Sequence, residues 1–497
     1  MKEQKKLITR PPVVVVLGHV DHGKSSLLCA IKDFKILERE SGGITQHIGA
    51  YEIEHQGKKI TFIDTPGHEA FSQMRSRGAK VADIAILVVD TAEGVKEQTK
   101  EAISHAKLAG VPIIVALNKI DKPQADPAKI KRELSQNKIL VEELGGKIPS
   151  VETSAITKKG IPELLEIILL VADMEELKAN FEKPAEGVVI EAYLDSQRGP
   201  TATLLIRDGI LKKGDILATP STLGKAKILE DFQGKPVEET FPSQPVIILG
   251  FEKVPQVSET FKVFPDIKEA EKYLTPKEER KEEREVLVVE PGQKILNLIL
   301  KGDCFGSLEA IEGVLRNLPQ DKVILRILKK EVGNINESDI KLAHSARAKV
   351  LGFRVKTDSV AQRLVGQLKI KPINFEIIYE LVQSLRQLME KMLKPEVIKK
   401  ELGRMKTLVV FWAEKNRQIV GGRILEGEVK REKTSIEVYR EKELKGRGKL
   451  INLQKNKKDI VTAARGEEIG ILYEGDVKIE KGDEIVFYQQ ERKKVEL

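Results

Sequence analysis

Eight residues near the amino terminus have the types and spacing to hold phosphate. Gly18-His19-Val20-Asp21-His22-Gly23-Lys24-Ser25 fits GxxxxGK[ST], with the apolar run Pro12–Leu17 before it and a helical stretch, Ser26–Lys32, after it. Glycines let consecutive backbone N–H groups turn inward around phosphate oxygens, and a helix N-terminus adds its positive end. Lys24 can then reach β- and γ-phosphates, and the Ser25 hydroxyl can ligate Mg²⁺. A glycine turn with a surface lysine is the bland alternative, and the strand–loop–helix setting argues against it.

Three further clusters follow. Asp64-Thr65-Pro66-Gly67 stands after the strand-like Ile60–Ile63. An aspartate there can hold Mg²⁺ through water, and the Gly67 N–H can contact a γ-phosphate. Asn118-Lys119-Ile120-Asp121 follows the apolar run Val111–Asn118. The Asp121 carboxylate can accept from guanine N1–H and the 2-amino group, neither of which adenine offers. Sites that leave such a group unpaired with the wrong ligand discriminate by roughly 10⁴–10⁵. Thr153-Ser154-Ala155, with Ile156 next to it, ends another strand and can supply a backbone contact to guanine O6. DxxG alone is common, but the order phosphate loop, DxxG, NKxD, SA, each at a strand end, describes a GTP/GDP site in an open α/β sheet.

The elements that position these residues form an α/β domain. Continuous apolar strands, such as Ile84–Asp90, alternate with helices such as Lys96–Ala109, which closes at Gly110. That rhythm requires a mostly parallel, doubly wound sheet covered on both faces. From about Pro184 the texture changes to short β runs (Val188–Leu194, Thr201–Arg207, Ile216–Thr219) parted by turns, the pattern of a small β-barrel. The run KEERKEERE at 277–285 reads as a charged helical linker. A second βα rhythm follows, with Ser307 expected to N-cap a helix Leu308–Leu318. Ile378 to Leu393 carries apolar residues at helical spacing, a long amphipathic helix. The remainder is β again, and its turn Lys481-Gly482-Asp483 echoes Lys213-Gly214-Asp215. The predicted division is a tail at 1–10, a P-loop GTPase domain at 11–182, a β-barrel at 183–275, a linker at 276–292, an α/β domain at 293–374, a connecting helix at 375–396 and a C-terminal β-barrel at 397–497.

The chain has 497 residues, and its 84 basic against 76 acidic residues give +8, which allows a polyanionic partner without requiring one. Aromatics are only 4%, so stacking on single-stranded bases is not the expected mode. Two distant cysteines, Cys29 and Cys304, exclude a disulfide framework and a cysteine-ligated zinc site. With no apolar run long enough for a signal peptide or a membrane span, the expected setting is cytoplasmic, without a membrane partner.

GHVDHGKS, Gly42–Tyr51 (GGITQHIGAY) and Asp64–Phe71 (DTPGHEAF) resemble the translational GTPases. The resemblance implies that Thr45 joins Ser25 and Asp64 around Mg²⁺ and that His68 orients the attacking water. It also implies that Val20 and Ile44 form a hydrophobic gate before that histidine. Gly187–Gly214, Leu296–Leu308 and Val332–Val355, with the order of domains, resemble bacterial translation initiation factor two. The implied partners are formylmethionyl initiator tRNA, both ribosomal subunits with their RNA and proteins, and other initiation factors, for a factor acting as a monomer. The long amino-terminal extension common in bacterial members is absent. Ser25 stands where threonine is usual, and Gly422 and Ile469 where cysteines flank the formylmethionine pocket. Lys442, Lys445, Arg447, Lys449, Lys455, Lys457 and Lys458, against one acid, Glu443, are the expected tRNA contacts, with a solvated loop as the alternative. Two rival readings remain: a GTP-dependent carrier of another aminoacyl-tRNA, such as the selenocysteine-specific elongation factor, and a ribosome-binding regulator that senses GTP without using its hydrolysis.

Overall fold

The computed structural model describes residues 7–32, 49–67, 69–195, 197–275, 293–393, 396–432 and 434–493. The chain divides into two compact units, Met1–Arg386 and Gln387–Leu497. The expected linker at 276–292, and Ile44, Thr45 and His68, lie outside the described residues.

The site-bearing sheet has six strands in the order Gly49–His55, Lys58–Asp64, Val13–Gly18, Ile84–Asp90, Ile113–Asn118 and Ser150–Glu152. All neighbours are parallel except the first pair. Val13–Gly18 and Ile84–Asp90 are buried at every position. This is the signature of central strands covered on both faces, and it explains why they read as unbroken apolar runs. The helix Glu97–Ala109 buries Ala102, Ile103 and Ala106 and ends at Gly110 with φ +70, the left-handed cap that glycine adopts at least cost.

Within the same unit, six antiparallel strands between Glu186 and Phe264 close into a ring, through the pairing of Ile216–Ala218 with Leu223–Glu230. A four-stranded parallel sheet follows, built on Lys294–Gly302. Its first helix is Phe305–Arg316, with Cys304 at the N-cap. Ser307 is therefore inside the first turn, not the cap. Its buried hydroxyl lies 3.3 Å from the Cys304 sulfur. The helix Ile378–Met392 buries Ile378, Leu381, Leu385 and Met389, so its methionine-bearing stripe serves packing.

In the second unit, Glu396–Glu414 pairs with both Arg417–Lys430 and Glu484–Lys493, and a ring of six antiparallel strands closes there as well. The two Lys-Gly-Asp turns share one geometry. Gly214 and Gly482 have φ +95 and +98, and Asp215 and Asp483 each accept a backbone N–H three residues back at 2.8 Å. Such turns, closed by a carboxylate on a nearby backbone N–H, arise from local hydrogen bonding, so the echo reflects turn chemistry whether or not the barrels share ancestry.

Candidate active site

The phosphate loop leaves the sheet where Gly18 pairs with Val88. Gly18 has φ +147, and a Cβ there would lie 2.4 Å from the Val88 carbonyl oxygen, so this exit admits only glycine. Lys24, 6% exposed at the start of the helix Lys24–Lys32, donates to the carbonyls of Gly18 (2.9 Å) and His19 (2.6 Å). Burial holds its ammonium down at about 8, while the nearby Asp64 carboxylate works against that shift. An arriving phosphate would favour the charged lysine further. The turn Asp64–Gly67 packs on the loop: a Cβ on Gly67 would meet Lys24 Nζ at 2.3 Å and Val20 N at 3.1 Å. Thr65 donates to the Val16 carbonyl at 2.8 Å. The fully buried Arg75 donates to the Pro66 carbonyl at 3.0 Å and grips Glu101 with two bonds of 2.8 Å.

Asn118 and Lys119 brace the loop from the other side. Asn118 Nδ2 donates to the His22 carbonyl at 2.9 Å, and Thr153 donates to Asn118 Oδ1 at 3.3 Å. Lys119 donates to the Asp21 carbonyl and pairs with Asp90 at 2.9 Å. Burial alone would raise the Asp90 carboxyl, yet hydrogen bonds from Lys119, the Ala92 N–H and Lys122 hold it at about 2. Asp121 is exposed, and the Ser154 hydroxyl donates to it at 2.5 Å, so the NKID and TSA segments converge on one edge. Ala155 is half-buried and Ile156 is 83% exposed beside them.

Two expected site residues are placed differently from a ligand-facing group. The His22 imidazole is completely buried, with Nδ1 3.4 Å from the Val88 carbonyl oxygen, and burial, then His19, push it down to about 3. Its ring is a neutral core group, and only its backbone belongs to the loop. Ser26 is exposed, one residue past the Ser25 hydroxyl. Sequence reasoning missed Asp90, Arg75 and Gln98. Asp90 carried a signal, because a carboxylate ending a fully apolar strand must find cations.

The basic stretch 442–458 is neither a loop nor one cluster. It is the strand Glu443–Lys455 between two turns, where Lys442 and Lys457 have φ +71 and +62. Its ends lie about 40 Å apart at the usual strand rise. Lys445 pairs with Glu443 (2.6 Å), Arg447 with Glu437 (2.9 Å) and Lys455 with Glu467 (2.6 Å). Lys449 and Lys458 are exposed. Gly422 faces Ile469 across paired strands, but it opens no space: a Cβ there would lie 2.5 Å from the Lys406 carbonyl oxygen and 2.8 Å from Met405. Met405 and Ile469 are buried together in the barrel core.

Comparison with known proteins gives the family. Residues 29–173 match the family model "Elongation factor Tu GTP binding domain", 184–264 match "Elongation factor G domain 2" and 271–386 match "Translation-initiation factor 2". The fold and site thus define a translational GTPase, which binds guanine nucleotides and hydrolyses GTP. The relatives narrow the class. The chain is 44% identical to the Translation initiation factor IF-2 of Thermotoga sp. (strain RQ2) over 98% of its own length and 72% of that protein. The corresponding figures are 43%, 96% and 72% for that of Halothermothrix orenii, and 45%, 97% and 60% for that of Carboxydothermus hydrogenoformans. Among solved structures it is similar to GDP-bound aIF5B from Aeropyrum pernix, with 27% identity, a TM-score of 0.47, and coverage of 97% of this chain and 92% of that one. The chain belongs to the translation initiation factor IF-2 family and is a GTPase of translation initiation. Among the described residues, no helix is long and apolar enough to cross a membrane.

Proposed function

We propose that this factor carries formylmethionyl initiator tRNA to the small ribosomal subunit, promotes joining of the large subunit, and uses GTP as the latch. Lys24 and the loop amides bind the phosphates, and Asp121, steadied by Ser154, reads guanine. Ser25 and Asp64 offer oxygen donors of the kind Mg²⁺ takes. Asp64 is 4% exposed at a strand end and close enough to Lys24 to influence its charge, so the donor set fits the ion. With Thr45 they would hold it, and when bound it supplies charge compensation at the β- and γ-oxygens. His68 orients water, behind a gate of Val20 and Ile44.

One observation carries the latch: the helix Ser72–Val81, which follows the DTPG turn, is bolted to two other parts of its unit. Arg77 Nε donates to Ser258 of the barrel at 2.6 Å, and its Nη2 pairs with Glu309, on the helix Phe305–Arg316 that follows the first strand of the four-stranded sheet, at 2.7 Å. A shift of the turn on loss of the γ-phosphate would therefore be felt in both. The basic residues Lys442, Lys445, Arg447, Lys449, Lys455, Lys457 and Lys458 would supply phosphate contacts to tRNA, and the formyl group is read elsewhere in the same barrel. The test is equilibrium binding of the full chain to formylated and unformylated methionyl initiator tRNA. Tighter binding of the formylated form supports the reading, and equal affinity overturns it.

A further inference from the structure

One donor of the phosphate loop is already committed to protein. The Val20 N–H donates to Gln98 Oε1 at 3.0 Å. A backbone amide can only donate, so the atom it meets is the side-chain oxygen of the glutamine. Gln98 lies in the first turn of the helix Glu97–Ala109, whose start is fixed by the Lys96 N–H donating to Thr99 Oγ1 at 3.3 Å. The same side chain lies near the His19 imidazole. The other two clamps, Asn118 on the His22 carbonyl and Lys119 on the Asp21 carbonyl, hold the half of the loop nearest the base-reading segments. Gln98 holds the half that faces the DTPG turn by its Val20 amide, next to the carbonyls of Gly18 and His19 that Lys24 takes, where a Cβ on Gly67 would come within 3.2 Å of Val20 Cα.

We infer that Gln98 is a positioning residue for GTP: it ties Val20 in place against Gly67, and so sets the γ-phosphate end of the loop without touching the diphosphate end. This rests on the assignment of this site to GTP. Without the glutamine oxygen, the Val20 N–H loses its acceptor, and the loop there relaxes to find another.

Gln98→Leu keeps most of the volume and removes the acceptor. Affinities for GTP and GDP are measured separately by displacement of a fluorescent nucleotide, with kcat and KM for ribosome-stimulated turnover. The expected result is GTP affinity and kcat each lowered about tenfold, the order set by one unmet donor, with GDP affinity kept within about twofold. Equal weakening of both nucleotides would mark a merely structural residue and overturn the inference, as would wild-type values throughout. Should that variant fail to fold, Gln98→Glu keeps the acceptor and places a negative charge beside the γ-phosphate. It is expected to spare GDP and weaken GTP about tenfold, and wild-type GTP affinity in it overturns the inference. A wild-type chain that ribosomes do not stimulate would count against the proposed function, whereas the GTP-to-GDP ratio still decides the role of Gln98.

Discussion

At the nucleotide site, nearly every polar side chain is held by another part of the chain: Lys24 by two carbonyls, Asn118 and Lys119 by the phosphate loop, Asp90 by two lysines. On the strand Glu443–Lys455, by contrast, the charges sit on the surface and pair with carboxylates of the same or nearby strands. A braced, buried site concentrates its effect in single residues, because removing one leaves partners unsatisfied in low dielectric. An exposed basic strand spreads its effect, because each screened contact adds a little.

The sharpest break in that comparison should come at Asp121, which is exposed but braced by the Ser154 hydroxyl. Asp121→Asn is expected to prefer xanthosine triphosphate, whose 2-carbonyl accepts from an asparagine amide. The reversal should approach the roughly 10⁴-fold scale of sites that reject a ligand lacking a hydrogen-bonding group. Competition between the two nucleotides measures it, and a wild-type preference for GTP would remove Asp121 from base reading. Next in size is His68→Ala, expected to bind GTP normally and lose about 10²–10⁴ of stimulated hydrolysis, the range of a group that handles a proton or a water. Near-normal turnover in single-turnover assays with ribosomes would contradict that role.

A third prediction concerns pH. Burial depresses His22 to about 3 in the folded chain, against about 6.5 for an ordinary histidine. Below pH 6.5 the unfolded chain takes up a proton that the folded one refuses. Its stability contribution is therefore complete above about 6.5 and is lost as pH falls toward 3. Denaturant midpoints between pH 7 and 5 should fall in the wild type and fall less in His22→Gln. Parallel slopes would mean that the imidazole is not buried neutral.

The smallest effect is expected at the exposed strand. Changing Lys455, Lys457 and Lys458 to alanine should lower the slope of log tRNA affinity against log salt by about 0.7–0.9 per lost phosphate contact. Formylated and unformylated tRNA should weaken alike. An unchanged slope would mean that this end of the strand meets no phosphate, and it would shift attention to the Lys442 end, about 40 Å away at the usual strand rise.

How much could be read in the sequence follows the same division. GHVDHGKS, DTPG and NKID were legible because each function depends on a short stretch at a strand end, where spacing alone fixes geometry. The strands carrying them were legible because burial on both faces leaves unbroken apolar runs such as Ile84–Asp90. Gln98 was not, since its contact with Val20 joins residues far apart in sequence and a lone glutamine on a helix carries no pattern. The N-cap at Ser307 went to Cys304 because the strand Lys294–Gly302 ends early enough to let the helix begin at Phe305. The crowding at Gly422 was not legible either, because it is set by Met405 and the Lys406 carbonyl of the facing strand. Composition alone cannot say what a neighbouring strand brings. The run at 442–458 looked like one cluster because sequence distance hides the extended length of a strand.

We propose that this GTPase is built to fire on the ribosome during initiation. GTP turnover by the full chain, measured with both ribosomal subunits, with and without formylmethionyl initiator tRNA, tests it most directly. Turnover should be slow for the chain alone and rise by at least about 10²-fold with both subunits, the scale of bringing a water-positioning group into play. That rise should survive with formylmethionyl tRNA present and vanish in His68→Ala. Turnover that ignores the ribosome, or that responds equally well when the histidine is gone, would contradict it.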